Sequence, residues 1–238
     1  MHSLKSIPTL KTLFLAALTF FAVAFTTAQA QQSPLIVPLN PPQPVENDGK
    51  IEVLEFFAYG CIHCAHLEPK LEEWVKKLPA DVKFKRVPAG RGFEMRGVDN
   101  VPLFYTLEAM GLIEKLQQKV FDAINVDNVI LGNPATLNKW LEKHGVDPKT
   151  YENVQKSFSV QNKIMRAYKQ AAEYKVSSTP TIIVNGRFSV QQQGTVESLF
   201  ATIDKLISDA RVNNKSAITA SADPAQNSKH KAVTKKVN

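Results

Sequence analysis

The sequence predicts an α/β fold in which a mixed β-sheet flanked by helices is interrupted by an inserted α-helical block. Two strand-like apolar runs, separated by a helical pattern, lie between residues 50 and 87. A long stretch with helical spacing follows, from Gly92 to Ala172, and strand-like runs return after it. Strands on both sides of a helical block are expected when a helical segment is inserted into a single sheet domain.

The first two strands differ in their expected exposure. Prolines surround residues 35–37, and we expect a short edge strand there because proline is confined to the edges of sheets. The run 50–57 is largely apolar, as in a central strand covered on both faces. Glu55 is the exception, and its place on one face with Val53 and Phe57 predicts a buried carboxyl group. Burying a carboxyl group costs free energy, so a buried one is expected to serve a function or to stay protonated. A position at an edge open to water is the alternative.

The helix after this strand begins near two cysteines. Apolar residues at helical spacing between His66 and Leu78 predict the helix, which would open at Cys61 and end before Pro79. Residues 82–87 predict a second core strand. Because strand–helix–strand units normally join parallel strands, we expect the two strands to run parallel.

Capping residues divide the helical block into several short helices. Asn133 and Asp147 each precede a proline, which suits an N-cap followed by the first helical turn. After the block, Asn185-Gly186 between two apolar runs predicts a β-hairpin. Residues 196–210 carry apolar positions at helical spacing and predict a closing helix.

Both ends of the chain carry segments that we expect to lie outside the fold. Lys5 and Lys11, the apolar run 13–25 and Ala28-Gln29-Ala30 predict a signal peptide cleaved after Ala30. An uncleaved anchor is the alternative, although the run is shorter than the roughly 20 residues that span a bilayer. After Arg211, lysines among small polar residues predict a disordered basic tail, with attraction to anionic lipid as the alternative.

The predicted organisation is a signal peptide, a sheet domain in two parts with a helical insertion between them, and a tail. The signal peptide is 1–30, the two parts of the sheet domain are 31–91 and 173–211, the helical insertion is 92–172, and the tail is 212–238. The chain has 29 Lys and Arg against 22 Asp and Glu, and nothing in their arrangement indicates a nucleic-acid partner. Export would place the cysteines in an oxidising space where a disulfide persists.

Cys61 and Cys64 are the only cysteines of the chain, and their spacing indicates redox chemistry. A structural disulfide normally closes a long loop, because the entropic benefit of a crosslink grows with loop length. At a helix start, unpaired N–H groups and the helix dipole favour a thiolate, so we expect Cys61 to be an exposed, acidic nucleophile. Cys64, one turn deeper, would be shielded and resolve the mixed disulfide. His63, between them, could further stabilise the thiolate.

A zinc site is the alternative use of these residues. Cys61, Cys64 and His66 could supply three ligands, but structural zinc sites need a fourth and the chain has no second cysteine pair. We therefore predict no metal site.

Several motifs together resemble the DsbA family of periplasmic thiol:disulfide interchange proteins. They are Glu55-Phe56-Phe57 before Cys61-Ile62-His63-Cys64, then Thr179-Pro180, then Val184-Asn185-Gly186. The resemblance covers nearly the whole chain between the predicted signal peptide and Ala210. It implies a thioredoxin fold interrupted by a helical domain, a periplasmic location, and oxidase activity with no cofactor beyond the redox-active Cys61–Cys64 disulfide. This family is a standard example of a depressed cysteine pKa and an oxidising disulfide.

The resemblance also implies roles for residues outside the cysteine pair. Pro180 would be cis and face the disulfide, and the backbone of Thr179 would pair with an incoming peptide by strand addition. Glu55 would lie beneath the active site and exchange protons with the buried Cys64. Ile62 and Thr179 stand where the best-known members have proline and valine, at positions that tune potential and partner choice.

The implied partners are reduced, unfolded exported proteins as substrates and a DsbB-like, quinone-linked membrane oxidase. We expect a monomer. An isomerase or reductase of the same superfamily is the nearest alternative: Thr179 favours it, but residues 31–50 are too few for a separate dimerisation domain. A non-catalytic peptide-binding chaperone is the other alternative, and it would not need the thiols.

Overall fold

The structure, a computed structural model, describes residues 33–46, 48–90, 92 and 99–222. The predicted signal peptide and the tail beyond Ala222 lie outside these residues. The strands are β1 (Leu35–Pro38), β2 (Ile51–Phe57), β3 (Val82–Pro88), β4 (Thr181–Val184) and β5 (Phe188–Gln191). The helices are α1 (Ile62–Val75), α2 (Asn100–Ala109), α3 (Ile113–Asn125), α4 (Pro134–Lys143), α5 (Pro148–Gln155), α6 (Phe158–Glu173) and α7 (Val196–Ala222).

The strands form one mixed sheet in the order β1-β5-β4-β2-β3. β2 is parallel to β3, and the other neighbours are antiparallel, which confirms the predicted parallel pair and the hairpin. Every residue of β2 is buried, as the apolar run predicted. β1 lies at one edge with its side chains exposed. The helices α2 to α6 fall between β3 and β4, so the predicted mixed α/β class is confirmed.

The two faces of β2 enter different apolar clusters. Leu54 and Phe56 belong to a core that includes Phe104 and Phe121 from the helical block. Val53 belongs to a second core with residues of α1 and α7. Because strand side chains alternate in direction, Leu54 and Phe56 pack with the helical block, whereas Val53 packs with the helices of the sheet domain.

The predicted caps begin α4 and α5. Asn133 Oδ1 accepts the N–H of Thr136 at 3.1 Å, and Asp147 Oδ2 accepts the N–H of Thr150 at 2.8 Å. Each bond satisfies one of the backbone donors that a helix start leaves unpaired.

The β4–β5 turn requires glycine at its second position. Asn185 and Gly186 both have positive φ, at 49° and 64°, as hairpin turns of this kind demand. A Cβ atom on Gly186 would lie only 2.3 Å from the carbonyl oxygen of Gln43. The turn therefore excludes a side chain both by backbone conformation and by contact with the entry segment.

We expect Gly186→Ala to lower the free energy of unfolding by about 2–4 kcal/mol, the sum of left-handed strain and a backbone clash. Gly145→Ala is the matched control, since Gly145 has a φ of 75° but nothing within 4 Å of a built Cβ. Its expected cost is the conformational strain alone, about 1 kcal/mol. Urea denaturation of both variants measures the difference, and equal losses would show that the Gln43 contact relaxes freely.

Two helix ends differ from the predictions. α1 ends at Val75 and not at Leu78, because the residue before Pro79 is disfavoured in helical conformation and the chain turns earlier. α7 continues to Ala222, so the prediction of disorder from residue 212 was wrong for 212–222. That segment has neither glycine nor proline, and each residue added to an existing helix gains a backbone hydrogen bond.

Candidate active site

Cys61 caps the N-terminus of α1 with its sulfur. The chain leaves β2 and turns so that the N–H of Cys61 donates to the carbonyl of Ala58 at 3.0 Å. With extended φ and ψ of −84° and 111°, Cys61 directs Sγ back toward the helix, where it accepts the N–H of Cys64 at 3.4 Å. The sulfur occupies the place that a serine or aspartate oxygen takes in an ordinary N-cap.

The two thiols have opposite electrostatic environments. The pKa of Cys61 is lowered to about 5, mainly by a hydrogen bond from the Cys64 thiol, and further by Thr179 and the backbone N–H groups of Cys64 and His63. Burial raises the pKa of Cys64 well above its ordinary value. Both cysteines are unpaired thiols in this structure. At neutral pH the site therefore favours one thiolate, on Cys61, beside a protonated Cys64.

Cys61 is less accessible than its predicted role suggested. Its exposed fraction is 4 %, against 0 % for Cys64. The order agrees with a nucleophile in front of a shielded partner, but the expectation of an exposed sulfur was wrong. The segment before β4 covers the site, and the Cys61 thiol contacts the carbonyl oxygen of Thr179 at 3.3 Å.

A cleft beside the sulfur joins the two predicted substrate-binding residues to His63. The Thr179–Pro180 peptide bond is cis, as the resemblance implies. The cleft has a volume of about 330 Å³, and its lining residues are His63, Ser178, Thr179, Pro180, Gln191, Gln192 and Gly194. The sequence did not indicate Gln191 and Gln192, because polar residues where a strand ends are equally expected without any function.

His63 is exposed at the rim of this cleft. Its backbone N–H contributes to the low pKa of Cys61, whereas its imidazole is not among the largest causes. The ring lines the cleft, and its part in stabilising the thiolate stays a prediction.

We expect His63→Ser to raise the Cys61 pKa only modestly, because the variant loses the ring but retains the backbone N–H. The ultraviolet absorbance of the thiolate, followed against pH, measures the shift. His66→Ser is a matched control, since His66 is also exposed on α1 but does not line the cleft. A loss of most of the pKa depression in His63→Ser would show that the imidazole is the dominant stabiliser.

Glu55 belongs to a buried charge cluster whose charges affect both cysteines. It is fully buried and faces Arg86 across the β2–β3 pair, with Glu55 Oε2 at 3.5 Å from Arg86 Nε. Arg86 Nη2 also contacts Glu68 at 2.8 Å and Glu72 at 2.7 Å. One guanidinium thus forms ion pairs with three carboxyl groups. Desolvation raises the pKa of both Glu55 and Glu68, which favours a retained proton in the cluster.

A larger cavity lies away from the sulfurs. It has a volume of about 1030 Å³, and its lining includes Leu54 of β2, Lys85 of β3, and Tyr105 and Arg166 of the helical block. None of the predicted site residues lines it. Within the described ranges, no three His, Cys, Asp or Glu side chains are placed to hold a metal ion.

Comparison with known proteins identifies the family. A sequence model for the DSBA-like thioredoxin domain matches residues 98–201. A thiol:disulfide interchange protein DsbA from Azotobacter vinelandii is 41 % identical over 172 residues, which cover 71 % of this chain and 78 % of that protein. The DsbA of Pseudomonas aeruginosa strain PAO1 is 36 % identical over 208 residues, covering 86 % of this chain and 97 % of the relative. The chain belongs to the DsbA family.

Solved DsbA structures share the fold described above. The crystal structure of Pseudomonas aeruginosa DsbA matches with a TM-score of 0.70 and 36 % identity, over 76 % of this chain and 94 % of that one. The oxidoreductase DsbA from Xylella fastidiosa matches with a TM-score of 0.67 and 29 % identity, over 74 % and 95 %. The protein is accordingly a thiol:disulfide oxidoreductase with a thioredoxin fold, and DsbA proteins act through their own disulfide. No helix in the described part of this DsbA-family chain is long and apolar enough to cross a membrane.

Proposed function

We propose that this DsbA-family protein transfers the Cys61–Cys64 disulfide to reduced, unfolded proteins exported to the periplasm. The observation that carries the proposal is the opposed environment of the two thiols. The low pKa of Cys61 stabilises the reduced protein as a thiolate, and stabilising the reduced state makes the disulfide a stronger oxidant.

The exchange proceeds in two balanced steps. A client thiolate attacks Cys61 Sγ, a bond forms between the two sulfurs, and the Cys61–Cys64 bond breaks with its electron pair on Cys64. A second client thiolate then attacks the client sulfur of the mixed disulfide and displaces Cys61 as a thiolate. The client gains a disulfide, and the protein gains two electrons. Cys61 is the better leaving group because its thiolate is stabilised, so the second step favours release of the client.

Glu55 is proposed to supply the proton that Cys64 needs. The buried Cys64 sulfur is a poor thiolate, because burial raises its pKa. Glu55 lies close enough for its charge to affect Cys64, and its own raised pKa favours a proton available at neutral pH. Protonation of Cys64 when it leaves would prevent reversal of the first step.

The cleft at Thr179 and Pro180 is proposed to hold the client. The cleft includes the cis Thr179–Pro180 pair, and the carbonyl oxygen of Thr179 lies 3.3 Å from the Cys61 sulfur. Backbone pairing gives affinity without sequence preference, which suits an enzyme with many clients. A DsbB-like, quinone-linked membrane oxidase is the proposed acceptor of the two electrons.

Isomerase activity is the second candidate function, because Thr179 stands before Pro180 and favours that alternative.

The equilibrium constant of the purified protein with glutathione tests the proposal. We expect the disulfide to be readily reduced by glutathione, and catalytic amounts of the oxidised protein to accelerate disulfide formation in a reduced, unfolded substrate. Rearrangement of a scrambled disulfide substrate is the comparison assay. Faster rearrangement than oxidation, or a disulfide that resists glutathione, would favour the isomerase or reductase alternative.

A further inference from the structure

The edge strand β1 leaves three consecutive apolar side chains partly exposed. Leu35, Ile36 and Val37 have exposed fractions of 41, 43 and 43 %. Single exposed apolar residues are ordinary on protein surfaces, but a strand that faces water on one side normally alternates apolar with polar residues. β1 is apolar on both faces and buried on neither, so packing in the core does not explain its composition.

The register of the sheet connects β1 to the cleft at Thr179 and Pro180. β4 begins at Thr181, directly after Pro180, and Thr181 pairs with Gln191 of β5. Gln191 lines the cleft and pairs in turn with Leu35. Residues that pair directly across strands point to the same face, so these three residues form one row from the active-site proline to the edge of the sheet. With neighbouring strands about 4.8 Å apart, Leu35 lies about 10 Å from Thr181.

The two faces of β1 differ in their relation to this row. Leu35 and Val37 point to the same face as Gln191, whereas Ile36 points to the opposite face and pairs with Val190. Val190 belongs to the core cluster formed with residues of α1 and α7. The side chains that continue the row are therefore those of Leu35 and Val37.

Prolines hinder the backbone of β1 from adding another strand. Leu39 N donates to Arg187 O at 2.7 Å, in the register of the β1–β5 pair. Because alternate residues of an antiparallel pair form its hydrogen bonds, the backbone groups of Pro34, Ile36 and Pro38 face outward. Only Ile36 can donate there, since proline has no N–H. Edge pairing with a second copy of the chain is thus disfavoured, and β1 offers a partner its side chains.

The cleft and the exposed face of β1 together suit an apolar, extended chain. Among the described residues, those that line the cleft include no Asp, Glu, Lys or Arg. Backbone pairing alone gives no sequence preference, which side-chain contacts must supply. Thr179, which contacts the Cys61 sulfur, precedes Thr181 by two residues, so the path from the sulfur to Leu35 is about 10–14 Å, or about three or four extended residues.

We propose that Leu35 and Val37 form a specificity site for an apolar side chain three or four residues from the client cysteine. The site rests on the proposed function and narrows its substrate class. Preferred clients carry a cysteine at this spacing from a large apolar residue, an arrangement that unfolding exposes and that a native core would bury.

Single-cysteine peptides test the proposal through the rate at which their thiol reduces the oxidised protein. In a peptide otherwise made of Ser and Gly, leucine is placed in turn at each position from one to six residues before or after the cysteine. We expect the rate to be about fivefold higher than with the all-polar peptide when leucine is three or four residues away on one side, because part of a leucine side chain then leaves water. Equal rates at every position, or a gain that is largest beside the cysteine, would overturn the proposal.

Variants of β1 locate this gain on the protein. In Leu35→Ser the ratio of the leucine-peptide rate to the all-polar rate should fall from about five to about one, since the apolar contact is lost. Ile36→Ser is the matched control, because Ile36 is equally exposed in the same strand but points to the other face, and its ratio should stay at about five. An equal fall in both variants, or none in Leu35→Ser, would contradict the site. Val37→Ser replaces Leu35→Ser in this comparison if the latter does not fold.

The outcomes separate this inference from the proposed function. If the oxidised protein forms no disulfides in any unfolded substrate, the proposed function itself fails. If it oxidises unfolded substrates without a leucine preference, only the specificity site is wrong. Sedimentation of the wild type and Leu35→Ser tests the other occupant of β1, and a dimer that this substitution dissociates would show that a second copy covers the strand and would overturn the proposal.

Discussion

Replacing Cys61 with serine is expected to reduce the oxidation of unfolded substrate to the uncatalysed rate. Serine cannot form the disulfide that is transferred, and no other thiol in the chain can take the place of Cys61, since Cys64 is the one remaining cysteine. The loss should be complete, not partial. Catalysed oxidation of a reduced protein, followed by its regain of activity, measures the effect.

Cys64→Ser is the informative comparison for this variant. It keeps the Cys61 nucleophile but removes the resolving thiol, so mixed disulfides with client proteins should accumulate and be visible on non-reducing gels. Cys64→Ala, which leaves no donor at position 64, should also raise the Cys61 pKa, because the hydrogen bond from the Cys64 thiol is the largest cause of its depression. If Cys64→Ser formed no mixed disulfides and Cys61→Ser did, the assignment of nucleophile and resolving residue would have to be exchanged.

The reduced protein is expected to be more stable than the oxidised protein at neutral pH. The pKa of Cys61 is about 5 in the folded state against an ordinary value of 9.0. At pH 7 the thiolate should stabilise the fold by about 3 kcal/mol, at about 1.4 kcal/mol for each unit. A disulfide across so short a loop contributes only about 2 kcal/mol by restricting the unfolded chain.

This difference in stability should depend on pH in a defined direction. Between pH 5 and 9 the unfolded reduced chain binds more protons at Cys61 than the folded one, so the stability of the reduced form rises with pH. It should fall by about 1.4 kcal/mol for each pH unit as the pH is lowered toward 5. Glu55 and Glu68 have the opposite slope, because their pKa values are raised, but both redox forms contain them.

Urea denaturation of the reduced and oxidised proteins at pH 5, 6, 7 and 8 measures the difference between them. The buried acids largely cancel in that difference, which isolates Cys61. A constant difference across this range, or an oxidised form that is the more stable at pH 7, would show that the folded state does not stabilise the Cys61 thiolate.

Local patterns in the sequence determine much of this fold. The apolar run of β2 predicts a buried strand, the Asn185-Gly186 pair predicts a hairpin, and Asn133 and Asp147 predict helix starts; each is found. These features depend on residues close together in the chain, whose side chains and backbone preferences act within one turn or one strand. The end of α7 was missed because composition alone understates how readily an existing helix continues.

The candidate site depends more on contacts between distant segments. The Cys61–Cys64 spacing marks the reactive pair, and the buried position of Glu55 follows from its strand. Arg86 could not be recognised, because its partnership with Glu55 arises from the register of β2 against β3. The connection of Leu35 to the cleft was missed for the same reason, since it arises from the register of β1 against β5. Neither pairing can be recognised from neighbouring residues in the sequence.

The shared aromatic core limits how modular the helical insertion can be. Phe57 of β2 packs edge-on against Phe104 of α2 and Phe121 of α3, with ring centroids 5.3 and 5.9 Å apart. Excising the insertion would expose Phe57, at the end of the central strand, to water, so the remaining segments should not fold as a minimal domain. An insertion transplanted from a homologue should give a folded chimera only if its aromatic side chains pack against Phe57 as Phe104 and Phe121 do. Whether two homologues can be combined in a chimera should therefore depend on these aromatic positions more than on overall sequence identity.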